Sequence, residues 1–184
     1  VRPLKFIYCS LFESNKKPQS VNFKFNEIMS VSYTIGHYLI SDQKIFPKNI
    51  EDYINKLFAN KVILDRSERK TIIIKSYEDL LKTEDSKVIY DDDLLEEIVG
   101  LVEWPVVFPG YIDEGFLSLP KEILQVTMKE HQKFLSVLNN KTNLIDKFIV
   151  VANMLAEDGG KAILEGNSRV LRSRLNDAKF FFEK

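Results

Sequence analysis

The chain has 184 residues, of which 45% are hydrophobic and 29% charged, and its formal net charge is −1. This composition predicts a globular protein of one domain or two small ones and excludes disordered and fibrous chains. The apolar runs are far shorter than the roughly 20 residues of a membrane span, and the single cysteine, Cys9, excludes an intrachain disulfide and a cysteine-based zinc site.

The first part of the chain predicts two strands joined as a hairpin. Residues 4–11 are rich in β-branched, aromatic and apolar side chains, and residues 14–18 have the composition of a turn. Val21, Phe23 and Phe25 alternate with polar residues, which is typical of a half-buried strand. We therefore expect these three side chains on one buried face.

Three helices are predicted next. Asn49 can cap the first, and residues 62–81 combine a strand-like isoleucine run with flanks that favour a helix. Asp93 and Glu96 resemble a capping box at the start of the third, which Trp104–Pro105 is expected to end. The apolar face expected on the first helix is formed by Ile50, Tyr53, Ile54, Leu57 and Phe58.

The following segment predicts further strands and one more helix. Residues 106–111 are expected to form a strand broken at Pro109–Gly110, and Pro120 suits the first position of a helix. Residues 134–138 and 147–152 predict two strands joined by a polar turn. The order of elements predicts an α+β fold in which helices pack on an antiparallel sheet.

The last predicted helix begins at Lys161, and Arg169 and Arg172 lie on one of its faces. Charge along the whole chain is uneven: residues 1–75 carry a net charge of +6, residues 78–114 carry −10 and residues 115–184 carry +3. Arginines along a helix can hold a nucleic-acid backbone. The alternative is a solvated face on which Arg174 pairs locally with Asp177.

No pattern in the sequence predicts a catalytic, metal or cofactor site. His37 and His131 are far apart and have no second histidine or cysteine nearby at ligand spacing. Gly159–Gly160 precede a helix, but the surrounding residues do not form a phosphate loop. The aspartates at 91–93 are better explained by helix capping than by acid–base chemistry.

Three segments resemble the β subunit of the bacterial heterotetrameric glycine–tRNA ligase. They are Leu95–Val107 (LEEIVGLVEWPVV), Phe116–Phe134 (FLSLPKEILQVTMKEHQKF) and Phe148–Phe182, which contains GNSRVLRSRLNDAKFFF. Val1-Arg2-Pro3 and Gly36–His37 also match the family. The chain departs from the family pattern at Ile35, Tyr38, Leu135 and Ser136.

The resemblance implies an internal piece of a longer cytoplasmic protein, with both ends lying inside that protein. It implies a fold similar to the B3/B4 module of the phenylalanyl-tRNA synthetase β subunit, spanning residues 1–158 with a further division near residue 90 left open. Residues 159–184 would be a basic helical segment leading into a further domain. The separate α subunit of such a ligase uses ATP and magnesium, so this piece is expected to hold no cofactor and to have no activity alone.

The partners implied are the α subunit, glycine tRNA and other domains of the β subunit, without a membrane. The tRNA-contact hypothesis names Lys133, Arg169, Arg172 and Arg174. The residues of the family motifs are Gly36, His37, Glu103, Trp104, Pro105, Gln132, Gly166, Asn167 and Asp177. Two alternatives are kept: a protein-interaction scaffold using Trp104, Phe108, Tyr111 and the terminal phenylalanines, and an editing-like hydrolase.

Overall fold

The computed structural model describes residues 4–14, 16–40, 42–153 and 158–184; the motif at residues 1–3 lies outside them. Two compact units are present, Val1–Leu64 and Asp65–Lys184. Helices and mainly antiparallel strands confirm the predicted α+β fold. The likeness to the B3/B4 module and the predicted domain limits stay predictions.

The described residues of the first unit form short strands and one helix. Its elements are β1 (Ile7–Tyr8), β2 (Ser10–Leu11), β3 (Gln19–Ser20), β4 (Lys24–Phe25), β5 (Ile28–Val31) and α1 (Ile50–Ala59). β2 and β3 pair in antiparallel fashion across the predicted turn, so a hairpin forms there, but its second strand is Gln19–Ser20. The predicted second strand pairs elsewhere, since β4 pairs with β5, which also pairs with β1. The side chain of Asn49 accepts a hydrogen bond from the Asp52 amide at 2.8 Å and caps α1 as predicted.

The predicted burial of Val21, Phe23 and Phe25 is wrong. These side chains are 41%, 48% and 54% exposed. β4 has only two residues, and the chain reverses at Asn26, whose φ is +52°. An alternating pattern predicts burial only where a second layer covers the strand. Similarly, Leu57 is the one residue of the predicted apolar face of α1 that is buried.

The second unit has helices on both faces of a four-stranded sheet. Its elements are α2 (Arg66–Leu81), β6 (Ser86–Val88), α3 (Asp92–Leu101), β7 (Val106–Tyr111), α4 (Lys121–Thr127), β8 (Leu135–Asn139), β9 (Ile145–Ala152) and α5 (Lys161–Phe182). The strand order is β6-β8-β9-β7, and every pairing is antiparallel.

Alternation along β9 divides the apolar core between the two faces of the sheet. Ile149 packs with residues of α2 and α3, whereas Phe148 and Val150 pack with residues of α4 and α5. Successive side chains of a strand point to opposite faces, so the continuous apolar run in β9 fits a strand covered on both sides. This arrangement fixes α5, which carries the predicted basic residues, against the sheet through Leu171 and Leu175.

Three local predictions need correction. Asp91 rather than Asp93 caps α3, since its side chain accepts from the Leu94 amide at 2.9 Å. The helix thus begins earlier than predicted, and Glu96 lies in its middle, outside a capping box. Pro120 occupies the N-cap of α4 and not its first helical position. β7 continues through Pro109 because it is an edge strand, where a missing amide hydrogen is tolerated.

An ion-pair network joins α2 to α3. Lys70 Nζ lies 2.7 Å from a carboxylate oxygen of Asp92 and 2.7 Å from one of Glu96, and Arg66 Nη2 lies 3.0 Å from Glu96. The hydrogen bond from Lys70 lowers the pKa of both carboxyl groups, and Arg66 lowers that of Glu96 further. The charged forms are therefore favoured by the folded state.

We expect Glu96→Gln to reduce the dependence of stability on pH under acidic conditions. A carboxyl group whose pKa is lowered by folding stabilises the protein above its unfolded pKa, about 4, and this contribution is lost as the pH falls further. The variant should have a lower melting temperature than the parent at neutral pH, and the difference should shrink toward pH ~3. Glu78→Gln, on the exposed side of α2, is the matched control. A constant difference at every pH would contradict the prediction.

Candidate functional site

The basic residues of α5 differ in their environments. Arg172 is held by Asp113: Nε lies 2.6 Å from Oδ2 and Nη2 lies 3.3 Å from Oδ1. This contact raises the pKa of the Arg172 guanidinium. Arg169 and Arg174 are exposed and form no ion pair with a described residue, so the predicted Arg174–Asp177 pair is not observed. These two arginines therefore present positive charge that no described carboxylate balances directly.

Lys133 lies outside α5, at the end of a π-helical turn, Met128–Gln132. Its φ is +56°, and its ammonium lies 3.0 Å from a carboxylate oxygen of Glu97. With Gln132 and Asn167 it lines a cavity of about 230 Å³ whose remaining walls are mostly apolar. The positive charge of Lys133 is thus already balanced within the fold.

A second and larger depression, here called the α5–β7 groove, lies between α5 and β7 and has a volume of about 470 Å³. Its polar lining residues are Tyr111, Asp113, Glu165, Ser168, Arg169 and Arg172. The Tyr111 ring is 63% exposed, and the Lys147 ammonium lies 5.5 Å from the ring centre. The groove combines two guanidinium groups, two carboxylates and a hydroxyl. Tyr111 pairs with Lys147 in the sheet, so its side chain lies on the face that packs on α2 and α3, opposite to α5.

The four predicted tRNA-contact residues do not form one patch. Arg169 and Arg172 share the α5–β7 groove, and Lys133 lines the other cavity. Arg174 follows Arg172 by two residues, about 200° around the helix, and faces a different direction. Sequence reasoning does not identify Asp113 as a partner, because its contact with Arg172 spans 59 residues.

The Glu103-Trp104-Pro105 motif has a structural role. The Asn153 side-chain oxygen accepts hydrogen bonds from the Glu103 and Trp104 amides, at 2.7 and 3.0 Å. This side chain ties the segment before β7 to the segment after β9, and Pro105 is buried beside it. The motif therefore joins the ends of two neighbouring strands.

The Gly36–His37 motif packs against the end of α1. A β-carbon at Gly36 would lie 2.4 Å from Cβ of Asn60, so a larger residue would displace this turn. The fully buried His37 donates its amide hydrogen to the Asn60 carbonyl at 2.9 Å, and its Nδ1 accepts from the Leu39 amide at 3.3 Å. These contacts hold the motif against the end of α1, so its role within the first unit is structural.

Gly166 lies in the second turn of α5, exposed, with no atom within 4 Å of the position a β-carbon would take. Its neighbour Asn167 donates to the Ile163 carbonyl at 2.8 Å, and Asp177 is exposed farther along the helix. Packing within the chain does not explain a glycine at this position. The backbone of α5 is open to close approach there.

We expect Gly166→Ala to raise the free energy of unfolding by about 0.5–1 kcal/mol, because alanine restricts the unfolded chain and favours a helix. Denaturant titration measures the change. Ser173→Ala, also exposed on α5, is the control and should give a smaller gain. A loss of stability in Gly166→Ala would mean that the added methyl group meets an obstacle.

The described residues offer neither a metal cluster nor a membrane-spanning helix. No group of three or more His, Cys, Asp or Glu side chains is placed among them to hold a metal ion. No helix within the described ranges is long and apolar enough to cross a membrane.

Comparison with known proteins gives one consistent result. The family model for the glycyl-tRNA synthetase beta subunit matches residues 1–184. The glycine–tRNA ligase beta subunits of Ruegeria sp. (strain TM1040) and Paracoccus denitrificans (strain Pd 1222) are 44% and 42% identical to the chain over 183 residues. Each alignment covers 100% of this chain but only 26% or 27% of the relative, so the chain spans about a quarter of those proteins.

Proposed function

The chain belongs to the glycyl-tRNA synthetase beta subunit family, and from this we propose that it is a noncatalytic module that contacts tRNA and supports assembly of a glycine–tRNA ligase. The exposed charge of Arg169 and Arg174 carries the proposal. Both guanidinium groups lack an ion pair with a described residue, and arginine suits the geometry of a phosphate.

The four cations in the tRNA-contact hypothesis contribute unequally. Arg172 and Lys133 are held by Asp113 and Glu97, so a phosphate must compete with a carboxylate for each of them. Arg169 and Arg174 have no such competitor among the described residues. We assign these two the main phosphate contacts and the other two a secondary role.

The proposed setting is a cytoplasmic ligase in which ATP and magnesium are used by a separate α subunit. The partners are then that α subunit, glycine tRNA and other domains of the β subunit. An editing-like hydrolase is less well supported, because His37 is buried, is already hydrogen-bonded to backbone groups and packs against the end of α1. In this setting, the chain itself binds and positions the tRNA.

The test is the salt dependence of tRNA binding by the complete β subunit assembled with its α subunit. Replacing Arg169 and Arg174 with alanine should weaken binding and reduce the slope of log affinity against log salt by roughly one for each phosphate that is no longer bound. Lys87→Ala with Lys121→Ala removes the same charge from other exposed positions and is the control. An unchanged slope in the arginine variant would contradict the proposal.

A protein-interaction scaffold is the second candidate. Phe180, Phe181 and Phe182 are 53%, 77% and 52% exposed at the end of α5, which favours a docking role. Phe108, named in the scaffold hypothesis, is buried and unavailable for docking, because it packs over Gly160. If the scaffold role is correct, Phe181→Ala should weaken association with the α subunit and leave the salt dependence of tRNA binding unchanged.

A further inference from the structure

The cavity of about 230 Å³ that Lys133 lines, here called the β8-end cavity, lies where β8 stops short of its neighbour β9. The register of the two strands ends at the Leu135–Ile149 pair, whereas β9 continues to Ala152. The chain enters β8 from Lys133, whose left-handed backbone, with φ +56°, ends the π-helical turn. The last three residues of β9 therefore have no β8 residue beside them.

Val151 offers an unpaired backbone donor and acceptor at this position. The Ile112 amide donates to the Asp146 carbonyl at 2.9 Å, so the backbone groups of Asp146 and of every second residue after it point toward β7. Those of Ile149 and Val151 consequently point toward β8. Ile149 meets Leu135, but no residue of β8 lies opposite Val151. The amide hydrogen and carbonyl oxygen of Val151 have no partner among the described residues, and Val151 lines the cavity.

The walls of the β8-end cavity are mostly apolar and belong to both faces of the sheet. Ile98 and Val102 lie on the α3 side, together with the side chain of Val151, and Ile163 lies on the α5 side. Successive side chains of a strand point to alternate faces. A strand added beside the end of β9 would therefore place one side chain against α3 and the next against α5.

The polar lining of the cavity is balanced in charge. The Lys133 ammonium lies 3.0 Å from a carboxylate oxygen of Glu97. Gln132 and Asn167 contribute side-chain amides, and the Asn167 amide nitrogen already donates to the Ile163 carbonyl at 2.8 Å. A phosphate or a carboxylate would find no uncompensated cation here. The cavity is also smaller than the roughly 300–1,000 Å³ of sites for drug-sized ligands, so a short piece of peptide fits it better than a nucleotide.

We propose that the β8-end cavity binds an extended, uncharged peptide segment from another domain of the β subunit, and that one residue of this segment exchanges both main-chain hydrogen bonds with Val151. This is antiparallel strand addition at an unpaired stretch of a sheet. A leucine or a similar side chain at that residue shares the face of Val151 and packs on Ile98 and Val102.

The source of the segment follows from the length of the relatives. The aligned region is about a quarter of each relative, so most of a β subunit lies outside it. A segment tethered in the same polypeptide binds at a high effective concentration, which suits a contact as small as this one. The inference rests on the assembly role proposed above and extends it by naming the kind of segment that is recognised.

The test titrates the full 184-residue chain, isotope-labelled for NMR, with the blocked peptide N-acetyl-Ala-Leu-Ala-amide. Saturable binding should shift the amide resonance of Val151. N-methylation of the leucine nitrogen removes the donor to the Val151 carbonyl and should weaken binding about tenfold, and serine in place of the leucine should weaken it at least as much. No binding, binding without a shift at Val151, or equal affinity for the N-methylated peptide would overturn the inference.

Ala152→Leu tests the cavity itself, because the larger side chain fills space beside the end of β9. Peptide binding should be lost in this variant and unchanged in Ala162→Leu, which makes the same replacement at an exposed position of α5. Circular dichroism verifies that both variants fold. Unchanged binding by folded Ala152→Leu would contradict the inference, and if that variant does not fold, the comparison of the two peptides on the parent chain decides.

The complete β subunit tests the source of the segment. It should bind the peptide at least about tenfold more weakly than the 184-residue chain, because its own segment occupies the cavity. Equal binding by the complete β subunit would contradict the proposal, and loss of that binding on addition of the α subunit would assign the segment to the α subunit instead. The assay contains no RNA, so its failure leaves the tRNA contact untouched, whereas an unchanged salt slope in the arginine variant defeats the tRNA contact alone.

Discussion

Replacement of Phe148 by alanine is expected to lower the free energy of unfolding of the Asp65–Lys184 unit by about 3–5 kcal/mol. Phe148 is fully buried in the cluster that joins the sheet to α4 and α5, and its ring stacks on Phe134 with 5.0 Å between centroids. Removal of the ring would forfeit its transfer free energy and leave a cavity between β9 and the two helices.

Chemical denaturation measured by circular dichroism tests this expectation. Phe181→Ala is the control, because the Phe181 ring is 77% exposed at the end of α5 and its removal should change stability by less than about 0.5 kcal/mol. Equal effects of the two substitutions would show that Phe148 is not part of a packed core.

Gly160→Ala is expected to destabilise the same unit by about 2–5 kcal/mol. The φ of Gly160 is +86°, and a β-carbon there would lie 2.2 Å from an atom of the Phe108 ring. The left-handed backbone and the collision with a buried ring both oppose a side chain. Gly160 is the N-cap of α5, so the change should also loosen the start of the helix that carries the arginines.

Gly159→Ala separates the cost of the left-handed backbone from the cost of the collision with Phe108. The φ of Gly159 is +68°, but no atom lies within 4 Å of the position of an added β-carbon. This variant should show only the backbone cost, about 1–2 kcal/mol. If thermal melting showed the same destabilisation for the two variants, the collision with the Phe108 ring would add nothing to the cost of Gly160→Ala.

Local sequence patterns predict most of the elements of the second unit, because its strands and helices are long enough to show their periodicity. Long-range structure decides the exceptions. The sequence predicts a break in β7 at Pro109, yet the strand is at the edge of the sheet, and this position depends on the order of all four strands. Phe23 and Phe25 follow a strand pattern without a covering layer.

The candidate site is less predictable than the fold. The arginines of α5 are recognisable from their charge, but the sequence does not show which of them are already paired. Asp113 holds Arg172 across 59 residues, and Glu97 holds Lys133 across two different elements. Side-chain pairs that form only after the sheet assembles leave no local signal, so the distinction between exposed and balanced charge requires the structure.

The most direct test of the central claim is a titration of the 184-residue chain with glycine tRNA at two salt concentrations, beside a noncognate tRNA. The proposal predicts binding at low salt that weakens steeply as salt rises, since phosphate contacts release counterions. The noncognate tRNA should show the same salt trend if the contacts are mainly to the backbone. Absence of binding at micromolar concentrations, or binding indifferent to salt, would contradict a phosphate-contacting role and favour the scaffold.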